Sequence, residues 1–266
     1  MTVKIYVKGI GILGPGLDGW DKSRPILAGL SPYTAQECSL PMPTILPPME
    51  RRRASTTVRL GTHVAQEALE QSGLAADNLA TVFASSDGDT DILDQLCSVL
   101  ATSEKAVSPT RFHNSVHNAP AGYWSIATHS LAPSSSVSCY DVTFAGGLLD
   151  AASQVVAEGR PVLLSVYDIA VPEPLHQVRP VSVPFGVALV LDSRHSVSVL
   201  GQLDIRLNGE VDGVVTTLSS LELETLRQGN PAARALPLLA AIARLQPAQV
   251  VLDYVDENRL QVAVTP

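Results

Sequence analysis

Charge, basic residues and cysteine are all scarce in this sequence. Charged residues make up 17% of the 266 positions, and 26 acidic residues against 18 basic ones give a formal net charge of −8. Proteins that bind nucleic acid concentrate Lys and Arg on one surface. The only basic run here is Arg51-Arg52-Arg53, so the composition argues against a free-standing nucleic-acid-binding protein.

Cysteine is too rare and too irregularly spaced for a disulfide framework or a metal site. Cys38, Cys97 and Cys139 are odd in number, and their spacing matches no metal-binding pattern. The sequence also has no apolar run of membrane-spanning length, and its first residues lack the apolar core of a signal peptide. We therefore expect reduced thiols and a cytoplasmic protein without a membrane span.

Apolar residues, in contrast, are abundant. They make up 45% of the chain, enough to form the core of one large α/β domain or two small ones. Stretches with strand periodicity alternate with stretches of helical periodicity, which predicts an α/β fold. Five prolines between 31 and 50 predict an extended loop there. Strands are predicted at 3–7, 79–84, 136–139, 161–167, 183–192, 197–207, 250–254 and 260–264, and helices at 18–30, 55–71, 90–100, 118–128, 144–157 and 232–245.

A glycine-rich motif follows the first predicted strand. The segment from Gly9 to Gly14 reads GIGILG and matches G-x-G-x-x-G. In a dinucleotide site this turn leads into a helix whose N-terminus binds the pyrophosphate. Here Pro15 and Gly16 follow, and no second strand ends in an acidic residue about twenty positions on. We therefore interpret the glycines as a tight exit from the strand, and we expect no cofactor.

Two clusters resemble metal sites only superficially, and we expect no metal. His113 and His117 are four residues apart without a third ligand at a recognisable spacing, and we interpret them as a helix start and a subunit contact. An acidic run lacks the closing glutamate of a calcium loop, and we interpret its members as helix N-terminal acids. These are Asp87, Asp89, Asp91 and Asp94. The sequence has no G-x-S-x-G motif, so a hydrolase triad has no anchor.

Three segments, in order, resemble β-ketoacyl synthases. The opening VKGIGILGPGLDGWDKSRPILAGLSPY is similar to the strand, glycine-rich turn and short helix of that family. The segment RLGTHVAQEALEQSGLAADNLATVFASSDGD is similar to the family's next helix and strand. The third, VSPTRFHNSVHNAPAGYWSIATHSLAPSSSVS, resembles the segment that leads to the nucleophile strand, and its SVHNAPAGYW stretch is similar to the chain-length-factor-like proteins of aryl polyene biosynthesis.

The resemblance implies a truncated, thiolase-like layered fold. It covers about residues 1–207, which we expect to form a ketosynthase-like N-terminal domain. Residues 208–266 are expected to form a short C-terminal closure, a helix plus a hairpin, in the same compact unit. The resemblance also implies a heterodimer with an active β-ketoacyl synthase in polyene, polyketide or fatty-acid-like biosynthesis, with contact to an acyl carrier protein through that partner.

The resemblance places no cysteine at the family's nucleophile position. In working ketosynthases a cysteine ends the buried strand, where the next helix lowers its pKa. Aligning Ser136-Val137-Ser138 with that strand puts Asp141 at the nucleophile position and Cys139 two places before it, whereas counting back from Gly159 moves the position to Val142. The family's catalytic histidines and lysine lie in a second half that we expect this chain not to contain. The resemblance therefore implies no catalytic residue, with Cys139 as the alternative nucleophile.

In such pairs, side chains of the inactive subunit border the acyl tunnel of the partner. The residues expected at this interface or tunnel are Phe112, His117, Asn118, Tyr123, Trp124 and Phe144. Arg51, Arg52, Arg53 and Arg59 are the expected docking site for an acidic carrier protein. Two alternatives stay open: a small active condensing enzyme that uses Cys139, and a scaffold that stabilises its partner without shaping the tunnel.

Overall fold

The structure is a computed structural model that describes residues 2–196, 198–208 and 213–266. Strands and helices are interspersed along the chain, as the α/β prediction requires. The strands are β1 Thr2–Gly14, β2 Leu17–Asp18, β3 Ala80–Ala84, β4 Ser134–Val137, β5 Val162–Asp168, β6 Phe185–Asp192, β7 Gly201–Asn208, β8 Ala248–Asp253 and β9 Arg259–Thr265. The α-helices are α1 Trp20–Leu27, α2 Pro48–Arg53, α3 Thr56–Ser72, α4 Thr90–Leu100, α5 Pro109–Asn114, α6 Ala119–Thr128, α7 Thr143–Glu158, α8 Leu221–Gly229 and α9 Leu236–Ala243.

The described strands form one mixed sheet in the order β4-β3-β5-β6-β1-β7-β9-β8, with β2 paired to β1. β3 is parallel to both β4 and β5, whereas β6 is antiparallel to β5 and β1. β7 pairs with β1 and with β9, so the C-terminal strands continue the same sheet. Because β3, β4 and β5 run in the same direction, their carboxyl ends meet at one edge of the sheet.

Two helices cover opposite faces of this sheet. α3 packs with alternate residues of β3 and β5, including Phe83 and Leu163. α7 packs against the other side of the same strands, including Val82 and Leu164, and belongs to the same hydrophobic cluster as α9. Burial of both faces explains why β3 and β5 are mostly apolar and buried at every residue.

The predicted ends of α3 are confirmed, and so is the C-terminal end of α7. Ser55 caps α3 by accepting a hydrogen bond from the backbone N–H of Val58, and Gly73 ends it with a φ of 65°. Gly159 ends α7 in the same left-handed conformation. Local capping interactions therefore determine where α3 begins and ends and where α7 ends.

The predicted glycine turn after residue 7 is wrong. β1 runs through the glycine-rich motif to Gly14, and the glycines serve the packing of α3 instead. A Cβ atom at Gly9 would lie 2.0 Å from the carbonyl oxygen of Ala68, and one at Gly11 would lie 2.1 Å from that of Val64. The backbone of α3 occupies the space over this stretch, so glycine is required for close helix–strand contact.

Several predicted boundaries differ from the structure. The strand predicted at 136–139 is β4, which begins and ends two residues earlier. β7 begins at Gly201 rather than at residue 197, which lies outside the described residues. The helix predicted at 232–245 is a 3₁₀ turn at Ala232–Ala235 followed by α9. Pro231 and Pro237 stand at the starts of these two elements, where a missing N–H is tolerated.

Three short helices were not predicted. α2 begins at Pro48 inside the stretch predicted as extended, α5 begins at Pro109, and α8 begins at Leu221. α2 and α5 have six residues each, too few to produce a helical apolar period. Among the described residues, no helix has the length and apolarity needed to cross a membrane.

Candidate functional site

Polar side chains gather where the three parallel strands end. Ser85 and Ser86 follow β3, Ser138 follows β4, and Asp168 is the last residue of β5. The Ser138 hydroxyl donates to the backbone oxygen of Ser86 at 2.9 Å, and the hydroxyls of Ser85 and Ser86 lie 3.0 and 2.9 Å from Asp168 Oδ1. The edge is where ligand sites form in open α/β sheets.

The N-terminus of α7 reaches the same edge. Val142 is its N-cap, and its first residues are Thr143, Phe144 and Ala145. The Thr143 hydroxyl is buried, donates to the backbone oxygen of Tyr140 at 2.6 Å and accepts from the Cys139 N–H at 3.0 Å. A residue activated by the helix dipole must lie in the first turn, and this turn holds no free acyl acceptor.

Cys139 lies before the helix, and its thiol is packed inward. The side chain is half-buried, and a Cβ atom added at Gly146 would lie 2.6 Å from its sulfur. Burial, and next the charge of Asp150, raise the pKa of the thiol. The thiolate is the reactive form of cysteine, so this environment works against a nucleophilic role.

Asp141, which one reading of the family resemblance puts at the nucleophile position, lies in a 3₁₀ turn at Tyr140–Val142 and is held by two arginines. Arg179 Nη1 donates to its Oδ1 at 2.5 Å, and Arg234 Nη2 donates to its Oδ2 at 3.2 Å. Both carboxylate oxygens are therefore engaged in charge-assisted hydrogen bonds. We call Arg179, Asp141 and Arg234 the arginine clamp.

Further charges extend the arginine clamp on both sides. Arg179 Nε donates to Asp87 Oδ2 at 2.7 Å, and its guanidinium carbon lies 4.0 Å from the centre of the Tyr140 ring. Arg234 Nη1 lies 3.8 Å from Asp253 Oδ2. Burial works against the charge of Arg179, but its hydrogen bonds to Asp87 and Asp141 outweigh this and raise its pKa. The clamp thus links the ends of β3 and β4 to the C-terminal strands.

Tyr140 is unusual within this site. Its φ of 52° is in the left-handed region, and its side chain is 61% exposed. A non-glycine residue in this conformation carries backbone strain of about 1–2 kcal/mol. The Arg179 guanidinium fixes an exposed aromatic ring just beyond β4.

Three of the aromatic residues expected at the interface or tunnel are buried within the chain. Tyr123, Trp124 and Phe144 are at most 3% exposed. The Tyr123 hydroxyl donates to Asn114 Oδ1 at 3.0 Å, and the Trp124 ring centre lies 6.3 Å from that of Phe83. Their contacts show core packing, and their role toward a partner stays a prediction.

The other three expected interface residues lie at or near the surface. Phe112 is 65% exposed, and Asn118 is exposed at the N-cap of α6 without a capping side-chain hydrogen bond. His117 lies closer to the site, with Nε2 2.9 Å from the backbone oxygen of Ser85. His113 is exposed, and no group of three or more metal-ligating side chains occurs in the described part of the chain.

The four arginines expected to dock a carrier protein divide into two pairs. Arg51 donates to the backbone oxygens of Thr44 and Leu46, and Arg59 donates to that of Leu40, so both hold the proline-rich loop. Arg52 and Arg53 are exposed. Arg53 Nη1 lies 3.8 Å from Glu50 Oε1, and the exposed pair is the part of the prediction that keeps its cationic groups at the surface.

Sequence reasoning missed Arg179, Arg234 and Asp168. A charged residue that ends a fully buried strand is a detectable signal for Asp168. Neither arginine has such a signal, because their partners are far away in sequence: 92 and 38 residues for Arg179 and 93 for Arg234.

Comparison with known proteins identifies the family. The family described as "Beta-ketoacyl synthase, N-terminal domain" matches residues 29–247. The chain therefore belongs to the β-ketoacyl synthase N-terminal domain family. The match runs past residue 207, and the predicted division at that residue stays a prediction. No curated protein sequence matches the chain.

Solved structures show the same fold. The chain is similar to a chain from the complex of the ketosynthase ApeO with its chain length factor ApeC from Xenorhabdus doucetiae, with 22% identity, a TM-score of 0.73 and coverage of 98% of this chain and 99% of that one. It is similar at 13% identity and a TM-score of 0.76 to a chain of AntDE:AntF, a ketosynthase with its acyl-carrier protein, covering 100% and 99% of the two chains. The ishigamide ketosynthase/chain length factor gives 14% identity, a TM-score of 0.71 and coverage of 98% and 99%.

These likenesses confirm the layered α/β fold of ketosynthases. A ketosynthase from module 6 of the bacillaene synthase of Bacillus subtilis 168 aligns over 85% of this chain but only 45% of its own, with a TM-score of 0.57. The present chain is thus shorter than that ketosynthase and similar in length to the three chains above.

Proposed function

We propose that this chain is a non-catalytic, chain-length-factor-type subunit that pairs with an active β-ketoacyl synthase in polyene or polyketide biosynthesis. The observation that carries the proposal is the junction of β4 and α7, where a ketosynthase has its nucleophile. The first turn of α7 offers no free acyl acceptor, and Asp141 beside it is held by Arg179 and Arg234. An ion-paired carboxylate is a poor acyl acceptor from a thioester.

The open edge of the sheet supports a partner of the same fold. β4 pairs only with β3 in the described part of the chain, so its other side has free backbone donors and acceptors. Exposed apolar side chains flank it: Leu131 is 99% exposed, Ile126 47% and Tyr140 61%. An edge strand between exposed apolar groups favours a strand from a second chain. The named complexes of ketosynthases with chain length factors make a ketosynthase the partner we propose.

The route by which an acyl carrier protein approaches is the second part of the proposal. The chain's net charge is −8, so an acidic carrier needs a local basic surface. Arg52 and Arg53 are exposed at the end of α2. We propose these two as a contact for the carrier, while Arg51 and Arg59 hold the loop from residue 40 to 46.

A role in setting chain length is the third part. Phe144 stands in the first turn of α7 and Trp124 lies in the core between α6 and β3. Both side chains are buried, so neither would line the partner's tunnel directly. Each would instead affect the tunnel by positioning its own helix, Trp124 by positioning α6 and Phe144 by positioning α7. Trimming Phe144 to alanine separates this role from that of a scaffold: a change of product length supports a tunnel role, and a change of yield alone supports a scaffold.

Co-expression with a ketosynthase tests the central proposal. The complex is separated by size exclusion, incubated with an acyl-loaded carrier protein and analysed by intact mass. We expect a one-to-one complex with the acyl mass on the partner. Acyl mass on this chain that disappears in Cys139→Ala would overturn the proposal in favour of a small condensing enzyme.

A further inference from the structure

One oxygen of the buried Asp168 has three close polar contacts, and the other has none. Asp168 is 2% exposed. Its Oδ1 lies 2.8 Å from Ser86 N, 2.9 Å from Ser86 Oγ and 3.0 Å from Ser85 Oγ. Its Oδ2 is buried without a hydrogen-bond partner among the described residues. An ionised carboxylate spreads its charge over both oxygens, so this arrangement solvates it on one side only.

The Ser86 hydroxyl stands between two carboxylates. Ser86 Oγ is 2.6 Å from Asp87 Oδ2 and 2.9 Å from Asp168 Oδ1. A serine hydroxyl has a single hydrogen. If both aspartates are ionised, one of these two contacts has no hydrogen and brings two lone pairs together.

One additional proton satisfies every contact. When Asp168 Oδ1 carries it, Oδ1 donates to Ser86 Oγ and Ser86 Oγ donates to Asp87 Oδ2. The two lone pairs left on Oδ1 accept from Ser86 N–H and Ser85 O–H. Oδ2 then becomes a neutral carbonyl oxygen, which costs much less to bury unpaired than a charged one. We propose that Asp168, Ser86 and Asp87 form a buried proton-binding site in which Asp168 holds the proton.

The charges around the site favour Asp168 over Asp87 as the proton's position. Arg179 Nε donates to Asp87 Oδ2 at 2.7 Å, so a guanidinium charge lies directly beside that carboxylate, and none among the described residues is hydrogen-bonded to Asp168. Burial first, and to a smaller degree the charge of Asp87, raise the pKa of Asp168 to about 7, against the hydrogen bonds from Ser85 and Ser86, which lower it. The arginine beside Asp87 and the burial of Asp168 both favour Asp168 as the residue that holds the proton.

Two other titratable groups lie near the site. His117 Nε2 lies 2.9 Å from the Ser85 backbone oxygen. Tyr167 precedes Asp168 in β5; its hydroxyl is buried, and burial followed by the charges of Asp168 and Asp89 raises its pKa. Of these, His117 is the one whose unperturbed pKa lies near neutral pH, so an experiment must separate it from Asp168.

The proton site is connected to the arginine clamp. Asp87 Oδ2 accepts from the Ser86 hydroxyl and from Arg179 Nε, and Arg179 also holds Asp141. Loss of the proton makes Asp168 compete for the Ser86 hydroxyl and so weakens one of the bonds that position Asp87. This inference goes beyond the proposed function, because it holds with or without a partner subunit.

Infrared difference spectroscopy on the full chain tests the proposal. The spectrum of Asp168→Asn is subtracted from that of the wild type, alone or in complex, so that contributions of an unchanged partner cancel. At about pH 6 we expect a carboxylic acid carbonyl band, and at about pH 9 its replacement by carboxylate bands. Carboxylate bands alone at about pH 6 would overturn the proposal.

Matched variants identify the source of the band. Asp192 is a second buried aspartate, 3% exposed. Because Asp168 is unchanged in Asp192→Asn, its carbonyl band should cancel in the wild type minus Asp192→Asn spectrum. His117→Gln should keep the band, and its loss there would contradict the assignment. If Asp168→Asn does not fold, Ser86→Ala is used instead, because it keeps the carboxyl group of Asp168 and removes the Ser86 hydroxyl that accepts its proton in a hydrogen bond. A shift of the carbonyl band in that variant supports the proposal, and an unchanged spectrum contradicts it.

Discussion

Replacing Arg179 by alanine is expected to cost about 2–3 kcal/mol of unfolding free energy. Its side chain is 13% exposed and donates to Asp87 at 2.7 Å and to Asp141 at 2.5 Å. Removing one partner of a buried ion pair costs about 3–5 kcal/mol, because the other charge stays buried and unpaired. Asp87 and Asp141 are 24% and 37% exposed, and Asp141 keeps Arg234. Because water reaches both carboxylates and Arg234 still pairs with Asp141, we expect the cost to lie at or below the lower end of that range.

Urea unfolding of the full chain measures this cost. Trp20 and Trp124 are both 2% exposed, so their fluorescence reports loss of the core. The control is Arg160→Ala, because Arg160 is 45% exposed and lies 3.3 Å from Glu158, and a surface pair of this kind contributes about 0–1 kcal/mol. A cost for Arg179→Ala no larger than that of the control would refute the idea that the arginine clamp holds the site together.

Three further changes test other parts of the account. Gly146→Ala puts a methyl group 2.6 Å from the Cys139 sulfur and should destabilise the fold by about 1–3 kcal/mol, with partial recovery in the double variant with Cys139→Ala in thermal unfolding. Leu131→Asp should weaken binding to a co-expressed ketosynthase by at least about tenfold, measured by calorimetry. The control is Leu221→Asp, which changes a 77% exposed leucine on α8 and should leave binding unchanged. The folded state raises the pKa of Asp168 from 3.8 to about 7. Binding of the proton to Asp168 therefore contributes fully to stability below about pH 4, and this contribution is lost as the pH rises to about 7. Asp168→Asn should therefore gain stability relative to the wild type over that interval, by at most about 4 kcal/mol, and a constant difference between the two would count against the proton site.

The parts of the fold that local chemistry determines were predictable from the sequence. Ser55 and Gly73 mark the ends of α3 because a hydroxyl cap and a left-handed glycine act within a few residues. The same applies to Gly159 at the end of α7. The apolar run of β5 gave the buried centre of the sheet.

The parts that depend on distant contacts were not predictable. The local pattern at Gly9 and Gly11 predicts a turn. Glycine is needed there for a different reason, because the backbone carbonyls of Ala68 and Val64, more than fifty residues away in α3, pack directly against β1. Arg179 reaches Asp87 across 92 residues, and no local pattern signals such a pair. A single sequence shows which residues begin and end elements, whereas the packing partners across the sheet appear only in three dimensions.

The most direct test of the central claim uses the co-purified complex with the ketosynthase partner's nucleophilic cysteine replaced by alanine. This complex is incubated with an acyl-loaded carrier protein and analysed by peptide mass. We expect no acyl group on either chain, because Asp141 is ion-paired with Arg179 and Arg234 and the thiol of Cys139 is packed against Gly146. An acyl group on Cys139 would contradict it and identify this chain as a condensing enzyme in its own right.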